Sequence, residues 1–328
     1  MKVVVTGAGG FVGSHLVESQ ARAGHDVRAL DLRTRSIEHL SGSPNVEILA
    51  GDLTDSDFLQ SALEGADIVY HLASIHLEIS VPDETYWRVN VEGVRNLLKM
   101  CHAAGVDRVV HCSSIGVYGS TPEEFPSNED SPCHPQSIYE RTKFEGERVV
   151  REVVAETGLP VTIVRPGWVY GPRCPRTLKL FKAIRSGRFL LVGDGQAVRQ
   201  PVYVEDIVRA LEHAGQSPCA VGETFVIAGP KAVTIKELTT AIARALGKPP
   251  VRLQAPYPVV WPAALGAELL GKVIGKEPPI SRRSLKFFDG NAAFDLSKAE
   301  RLIDFKPLTD LDEGLSRSLS WFQVEGLV

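Results

Sequence analysis

Residues Lys2 to Leu16 read KVVVTGAGGFVGSHL. Val3, Val4 and Val5 form a β-branched run, too short for a helix and suited to a buried parallel strand. Thr6 to Gly10 interrupt it. Phe11, Val12, Leu16 and Val17 then recur at helical spacing. The stretch therefore reads as strand, glycine turn, helix. Gly7, Gly10 and Gly13 stand three residues apart. In a dinucleotide-binding βαβ unit, glycines so placed permit the tight turn, the close approach of backbone to pyrophosphate and close helix–strand packing. The helix N-terminus offers unpaired N–H groups and a positive dipole end to the phosphates.

Composition sets the frame for that motif. The chain has 328 residues, 44% hydrophobic and 23% charged, with a formal net charge of −4. That is enough for a full core, one large domain and a smaller lobe. A mildly acidic chain gives no electrostatic case for nucleic acid or an anionic membrane. Met1-Lys2 runs directly into a strand, so no signal peptide is expected and the protein reads as cytoplasmic. The longest apolar stretch, Val259 to Leu270, holds Pro262, Gly266 and Glu268 and is too interrupted to span a membrane. The five cysteines, Cys101, Cys112, Cys133, Cys174 and Cys219, lack ligand spacing. They read as reduced thiols, not as a disulfide framework or a metal site.

Strands and helices alternate through the first half. Val27 to Leu30 make a second strand ending at Asp31, 18 residues beyond Gly13. An acid near that distance receives the adenosine ribose hydroxyls, and its charge disfavours a 2′-phosphate. NAD is therefore expected over NADP, although Arg33 and Arg35 could accept that phosphate. Asp31 could equally cap a helix or turn. Val46 to Ala50 form a third strand leading into Gly51-Asp52-Leu53; Asp52 either faces the adenine or caps a helix from Asp55. Ile68 to Leu72 form a fourth, ending in His71-Leu72-Ala73-Ser74. Small residues at the carboxyl end of a parallel strand let a cofactor lie close, in the crevice where open α/β sheets bind ligands. His71 sits inside the strand and reads as structural before catalytic.

Glu84 to Ala104 read as one long helix carrying Asn90. Arg108 to Cys112 form a fifth strand that runs into Ser113-Ser114-Ile115-Gly116-Val117-Tyr118-Gly119. A proline-rich loop, Thr121 to Pro135, precedes a helix from about Ser137 to Thr157. Val161 to Val164 make a sixth strand ending at Arg165-Pro166. After Tyr170 the alternation weakens. A short helix runs Thr177 to Ser186, and Leu190–Gly195 and Pro201–Asp206 read as short irregular pieces. Glu223 to Ala228 are a strand, and Thr234 to Leu246 a helix capped by Thr234 with Glu237 three residues on. A last helical pattern ends at Phe322.

Tyr139 and Lys143 are four apart on a predicted helix and share one face. A tyrosine is normally too weak an acid for proton transfer near neutral pH. A neighbouring ammonium would stabilise the phenolate and make Tyr139 a usable general acid/base. Lys143 could also hold the nicotinamide ribose. Ser114, at the end of a strand aimed at the same crevice, would hydrogen-bond a substrate oxygen.

Taken with TGAGGFVG (Thr6–Gly13), GDL (Gly51–Leu53), HLAS (His71–Ser74), NVEGVRNLL (Asn90–Leu98), SSIGVYG (Ser113–Gly119), YERTK (Tyr139–Lys143), RPGWVYGP (Arg165–Pro172) and YVED (Tyr203–Asp206), the chain resembles the extended short-chain dehydrogenases/reductases over nearly its whole length. This is the superfamily of NAD-dependent epimerases and dehydratases. The resemblance implies an α/β, Rossmann-type doubly wound parallel sheet from residues 1–165 and about 199–230. A smaller substrate lobe would come from 166–198 and about 231–328. It implies a catalytic trio of Ser114, Tyr139 and Lys143. NAD would be lined by Gly7, Gly10, Phe11, Val12, Gly13, Asp31, Leu32, Arg33, Asp52, Leu53, Leu72, Ala73, Ser74, Asn90, Ser113, Tyr139, Lys143 and Pro166. It also implies a homodimer, paired through the two long helices.

Departures from the family pattern narrow the substrate. Where sugar-nucleotide 4,6-dehydratases carry an Asp-Glu pair, this chain has Ile115 and Gly116, which cannot transfer protons. Trp168 replaces an asparagine that often holds the substrate diphosphate. Arg199 does match an arginine that such enzymes aim at the nucleotide, or it is a surface charge. Glu268–Gly275 and Pro278–Leu302 are similar in layout to 3-beta-hydroxysteroid dehydrogenase-like and dihydroflavonol reductase-like proteins. An apolar lobe with Trp168, Tyr257 and Trp261 would suit a hydrophobic small-molecule ligand, or those aromatics are core. The leading expectation is a dehydrogenase/reductase acting on a hydrophobic or sterol-like alcohol or ketone. The alternatives are a UDP-sugar 4-epimerase using the same transient oxidation and, less favoured, a non-catalytic NAD-sensing protein.

Overall fold

The computed structural model describes residues 1–76, 81–119, 125–274 and 285–328. Seven strands form one parallel sheet: β1 (Lys2–Thr6), β2 (Asp26–Asp31), β3 (Val46–Ala50), β4 (Ile68–His71), β5 (Arg108–Cys112), β6 (Val161–Pro166) and, late in the chain, a strand at Thr224–Ile227. Across the sheet the order is β3-β2-β1-β4-β5-β6 and then the late strand. The direction of winding reverses between β1 and β4, which pair in register from Val3 opposite Ile68 to Thr6 opposite His71. A ligand crevice lies at such a reversal, outside the carboxyl ends of the strands.

The valines of β1 serve both faces, because side chains alternate along a strand. Val3 and Val5 pack into the core beneath α1 (Phe11–Arg22), and Val4 packs into the opposite core. That opposite core is closed by α2 (Ser56–Leu63), the long helical stretch after β4 and α5 (Ile138–Thr157). The long stretch follows the sequence expectation in extent but not in regularity. It runs as α3 (Asp83–Trp87), a π turn at Arg88–Glu92 and α4 (Gly93–Ala103). A π turn inserts an extra residue, and such insertions often serve functional positions. Here Asn90 lies on that turn and is fully buried.

Helix boundaries follow the caps. Ser137 and Glu140 form a capping box at the start of α5, and Gly158 ends the helix in the left-handed conformation. The helix Ile235–Ala245 has the expected Thr234/Glu237 box. Asp55, rather than Asp52, caps α2, accepting from the backbone N–H groups of Asp57 and Phe58.

One segment differs from expectation. Pro201–Asp206 is not an irregular piece: Pro201–Tyr203 pairs in parallel with Trp168–Tyr170, and a helix runs Val204–Gln216. Val204, Ile207, Val208, Ala210, Leu211 and Ala214 are all buried on the sheet face that α1 shares. Gly215 is there because a Cβ would lie 2.5 Å from the Tyr70 hydroxyl. The buried Asp206 carboxylate accepts from the N–H groups of Leu308 and Thr309 and from Arg209, fastening the C-terminal segment to this helix. The helix Tyr257–Ile274 contains Pro262, and no described helix is long and apolar enough to cross a membrane. Much of the hydroxysteroid dehydrogenase-like layout, residues 275–284, lies outside the described residues, as do residues 121–124 of the proline-rich loop.

Candidate active site

The glycine turn meets the end of β4 at the crevice. Gly7 has φ +69°, and a Cβ there would lie 2.5 Å from the Ala73 nitrogen. A Cβ on Gly13 would lie 2.1 Å from the Gly7 carbonyl oxygen, so α1 can approach β1 only without one. Gly9, which the three-residue spacing did not single out, is as constrained: its Cβ would lie 2.1 Å from the Arg33 carbonyl oxygen. The run of four glycine-turn letters, GAGG, was its only sequence signal. No side chain caps α1, and its first turn carries no acid. The N–H groups of Phe11, Val12 and Gly13 therefore lack intrahelical partners. Orphan donors at the end of a helix dipole, beside a turn that admits no Cβ, fit a dinucleotide pyrophosphate.

Asp31 stands at the rim of this turn, its carboxylate accepting from the N–H groups of Gly9 and Arg33, each at 2.9 Å. It thus shapes the turn. Leu32 beside it is 62% exposed. Asp52 accepts from the Thr54 N–H, and Leu53 is buried with its carbonyl held by Asn96. Leu72, Ala73 and Ser74 are half-buried at the crevice. The Thr6 hydroxyl meets His71 Nδ1 at 2.7 Å and accepts from the Ala73 N–H at 3.3 Å. His71 is therefore a buried structural residue. Burial, and then the Lys143 charge, hold its imidazole down to about 3.

Two residues expected against the cofactor turn their side chains elsewhere. Asn90 clamps the loop after β4: its Oδ1 accepts from the Ile75 N–H, and its Nδ2 donates to the Ile75 carbonyl and to Thr142. The Ser113 hydroxyl donates to Glu147 at 2.6 Å, inside the core. In both cases a buried polar group is satisfied by the protein itself. Pro166 is buried at the end of β6.

Ser114 follows β5, and Tyr139 and Lys143 lie on the first turns of α5. Ser114 caps a tight turn over Ile115–Tyr118, its Oγ accepting from the Gly116 N–H at 3.0 Å. A Cβ on Gly116 would lie 3.3 Å from the Ser114 Oγ and 3.9 Å from the Tyr139 ring, so both side chains flank this turn. Lys143 is 3% exposed, and its Nζ donates to the Cys112 carbonyl oxygen at 2.7 Å. Burial pushes the Tyr139 phenol up to about 12, with the Ser114 hydrogen bond opposing it. The expected lowering by Lys143 is not what governs this phenol, since the ammonium is held by the strand-end carbonyl. Burial also pulls the Lys143 ammonium below its ordinary range. His76 packs edge-on against Tyr139, ring centres 4.7 Å apart, a neighbour with no signal in the sequence beyond its closeness to HLAS.

Beneath the trio lies a buried ion pair that the sequence reading missed. Arg165 donates to both Glu147 oxygens, at 2.8 and 2.7 Å, and to the Tyr118 hydroxyl at 2.7 Å. Glu147 thus anchors Ser113 on one side of Ser114 and, through Arg165, Tyr118 on the other. A charge at position 147 of an amphipathic helix looks solvent-facing until its partner, 18 residues away, is known.

The expected substrate-side residues split into groups. Trp168 stacks with Tyr170 and meets Phe287 at 5.7 Å between ring centres. The Arg199 guanidinium lies over Phe287 and donates to the carbonyls of Val198, Phe287, Asp289 and Gly290. It is therefore engaged with the protein's own backbone and is not a loose surface charge. Ile115 packs against a small cluster with Tyr118 and Phe294, and a Cβ on Gly116 would lie 3.1 Å from the Glu140 side chain, a close but adjustable contact. Tyr257 belongs to a separate cluster with Val192, Val260 and Ala264, and Trp261 is 40% exposed.

A family model for the NAD dependent epimerase/dehydratase family matches residues 3–228. The chain belongs to that family. It is an enzyme of the NAD-dependent oxidoreductase/epimerase type, with the extended short-chain dehydrogenase/reductase architecture. Among its relatives, the N-acetyl-alpha-D-glucosaminyl-diphospho-ditrans,octacis-undecaprenol 4-epimerase of Escherichia coli O157:H7 is 30% identical, over 97% of this chain and 94% of that protein. Sterol demethylase protein B of Methylococcus capsulatus is 31% identical over 100% of both chains. The UDP-glucuronic acid 4-epimerase from Bacillus cereus, solved in complex with NAD, superposes with a TM-score of 0.81 at 25% identity, over 99% of each chain.

Proposed function

We propose that this enzyme interconverts a secondary alcohol and a ketone on a hydrophobic or sterol-like substrate, with NAD rather than NADP. NAD, when bound, supplies the acceptor or donor of hydride. Its pyrophosphate would rest on the N–H groups of Phe11, Val12 and Gly13, and its adenosine ribose beside Asp31. Ser114 orients the substrate oxygen. Tyr139 carries the proton between its hydroxyl and that oxygen. Lys143, fixed on the Cys112 carbonyl, offers a donor for the nicotinamide ribose. With its phenol pushed up to about 12, Tyr139 is protonated near neutral pH, ready to donate to a ketone oxygen.

The observation that carries the substrate class is the engagement of Arg199. Its guanidinium holds four backbone carbonyls and lies over Phe287, which in turn packs on Trp168. A nucleotide diphosphate would have to break those bonds to claim the arginine. An apolar ring system needs no such cation and finds Trp168 and Phe287 side by side.

The second reading is a UDP-sugar 4-epimerase, in which the same half-reaction is followed by return of the hydride. The 4-epimerase relatives favour it. A thermal-shift screen in the presence of NAD separates the two, because a ligand that binds only the folded state raises its stability. Hydroxysteroids or phenolic ketones should raise the melting temperature while UDP-sugars leave it unchanged. Stabilisation by a UDP-sugar at micromolar concentration reverses the assignment.

A further inference from the structure

The loop Gly171–Cys174 leaves the strand Trp168–Tyr170 and enters the helix Pro175–Arg185. Arg173 in that loop has φ +66°, in the left-handed region that a non-glycine residue adopts only when its surroundings hold it there. What holds it is Glu18, on the second turn of α1. The two guanidinium nitrogens meet the two carboxylate oxygens, at 2.8 and 2.7 Å, in a bidentate pair. Both side chains are largely shielded, at 23% and 20% exposure.

The pair has neighbours that extend it in two directions. His15, one turn earlier on α1, meets the Pro172 carbonyl through Nε2 at 3.1 Å and Arg173 through Nδ1 at 3.4 Å. A neutral imidazole with its proton on Nε2 satisfies both contacts. His15 packs edge-on against Phe11, the residue whose N–H opens the pyrophosphate donors. On the other side, His39 meets Glu18 Oε1 at 2.9 Å. His39 belongs to the short helix Arg35–Leu40, which follows the Asp31–Arg33 loop on the adenosine side. One carboxylate therefore joins the glycine-turn helix, the adenosine-side segment and the loop that leads into the 175–185 helix.

We propose that Glu18 and Arg173 are a positioning pair for the dinucleotide: their clasp fixes the first turns of α1, the adenosine segment and the 171–174 loop in the one arrangement that grips the cofactor. Neither residue touches the reacting atoms. A bidentate pair with fixed geometry suits this task better than packing alone, because it sets the angle between its two elements as well as their distance. An arginine in the left-handed region is tolerable as long as the clasp compensates the strain; without the clasp, glycine would fit the backbone better.

The inference rests on NAD occupying the glycine turn. The test measures dissociation constants of NAD and of ADP-ribose, which lacks the nicotinamide, for wild type, Glu18→Gln, Arg173→Gly and the double variant. Arg173→Gly removes the backbone strain, so it should fold at least as readily as Glu18→Gln, and melting curves without ligand check this. Each single variant should weaken both ligands by about tenfold, and the double variant no further, the signature of two groups acting as one. Unchanged dissociation constants in folded variants, or independent losses that multiply in the double variant, overturn the clasp. A wild type that binds neither ligand overturns the dinucleotide reading and the clasp with it.

Discussion

The Lys143 ammonium is buried and donates to the carbonyl oxygen of Cys112 at 2.7 Å. That carbonyl ends β5, two residues before Ser114, so one hydrogen bond fixes the lysine relative to the strand that leads into Ser114. Removing the ammonium should therefore affect cofactor grip more than folding. Lys143→Met, similar in length and apolar, is expected to bind NAD roughly 10- to 100-fold more weakly, the range of a hydrogen bond to a charged group. Equilibrium titration of NAD measures it, and wild-type affinity in the variant would remove Lys143 from the cofactor site.

Glu147 and Arg165 form the ion pair on which the Ser113–Tyr118 segment rests. Burial works against the Glu147 carboxylate, but the Arg165 hydrogen bonds and charge outweigh it and hold the carboxyl below its usual range. Breaking such a pair costs about 3–5 kcal/mol when the remaining charge has no other partner, and here, among the described residues, Glu147 keeps only Ser113 and the half-exposed Arg151, at 3.1 Å. Arg165→Met should lose stability on that scale in urea unfolding and lower turnover as well, since Tyr118 loses its anchor. Combining it with Glu147→Leu should recover part of the stability, because an apolar pair leaves no stranded charge. Equal stability of Arg165→Met and wild type would show that the pair contributes nothing net.

How legible was all this in the sequence? The parallel sheet was, because β-branched runs and glycine turns are local signals and β1 to β6 each carry one. So were the elements that carry Ser114, Tyr139 and Lys143, the end of β5 and the first turns of α5. Contacts between residues distant in sequence were not. Asn90 and Ser113 lie in the right motifs, yet their side chains satisfy Ile75, Thr142 and Glu147, and only the folded chain shows this. The helix Val204–Gln216 does carry its signal, Val204, Ile207, Val208 and Leu211 at helical spacing, but only its start lies within the YVED motif. Likewise, a spacing of four residues shows that Tyr139 and Lys143 share a face, but not that the lysine takes the Cys112 carbonyl as its acceptor.

Two histidines at the ends of β4 and β5 predict acid sensitivity. His71 and His111 are fully buried with ring centres 5.2 Å apart. Neither His111 nitrogen has a partner among the described residues. Burial, followed by the charge of Lys143, holds both imidazoles below their ordinary 6.5, His71 down to about 3. The unfolded chain therefore binds protons that the folded chain refuses. Stability is fully present above pH 6.5 and falls as pH drops toward 3, by about 1.4 kcal/mol per pH unit for each refused proton. Chemical unfolding at stepped pH should show this slope, and His111→Leu should make it shallower by about one proton. An unchanged slope in that variant would assign the acid sensitivity to other groups.

Turnover of Tyr139→Phe beside wild type, with NAD and a hydroxysteroid, followed at the reduced-nicotinamide absorbance band, is the most direct measurement of all. Wild type should accumulate reduced cofactor. The variant, still binding NAD, should be slower by about 100-fold or more, as expected when a general acid/base is removed. Full turnover in Tyr139→Phe, or a wild type that leaves the hydroxysteroid untouched and interconverts a UDP-sugar with no net change in cofactor, would contradict the assignment.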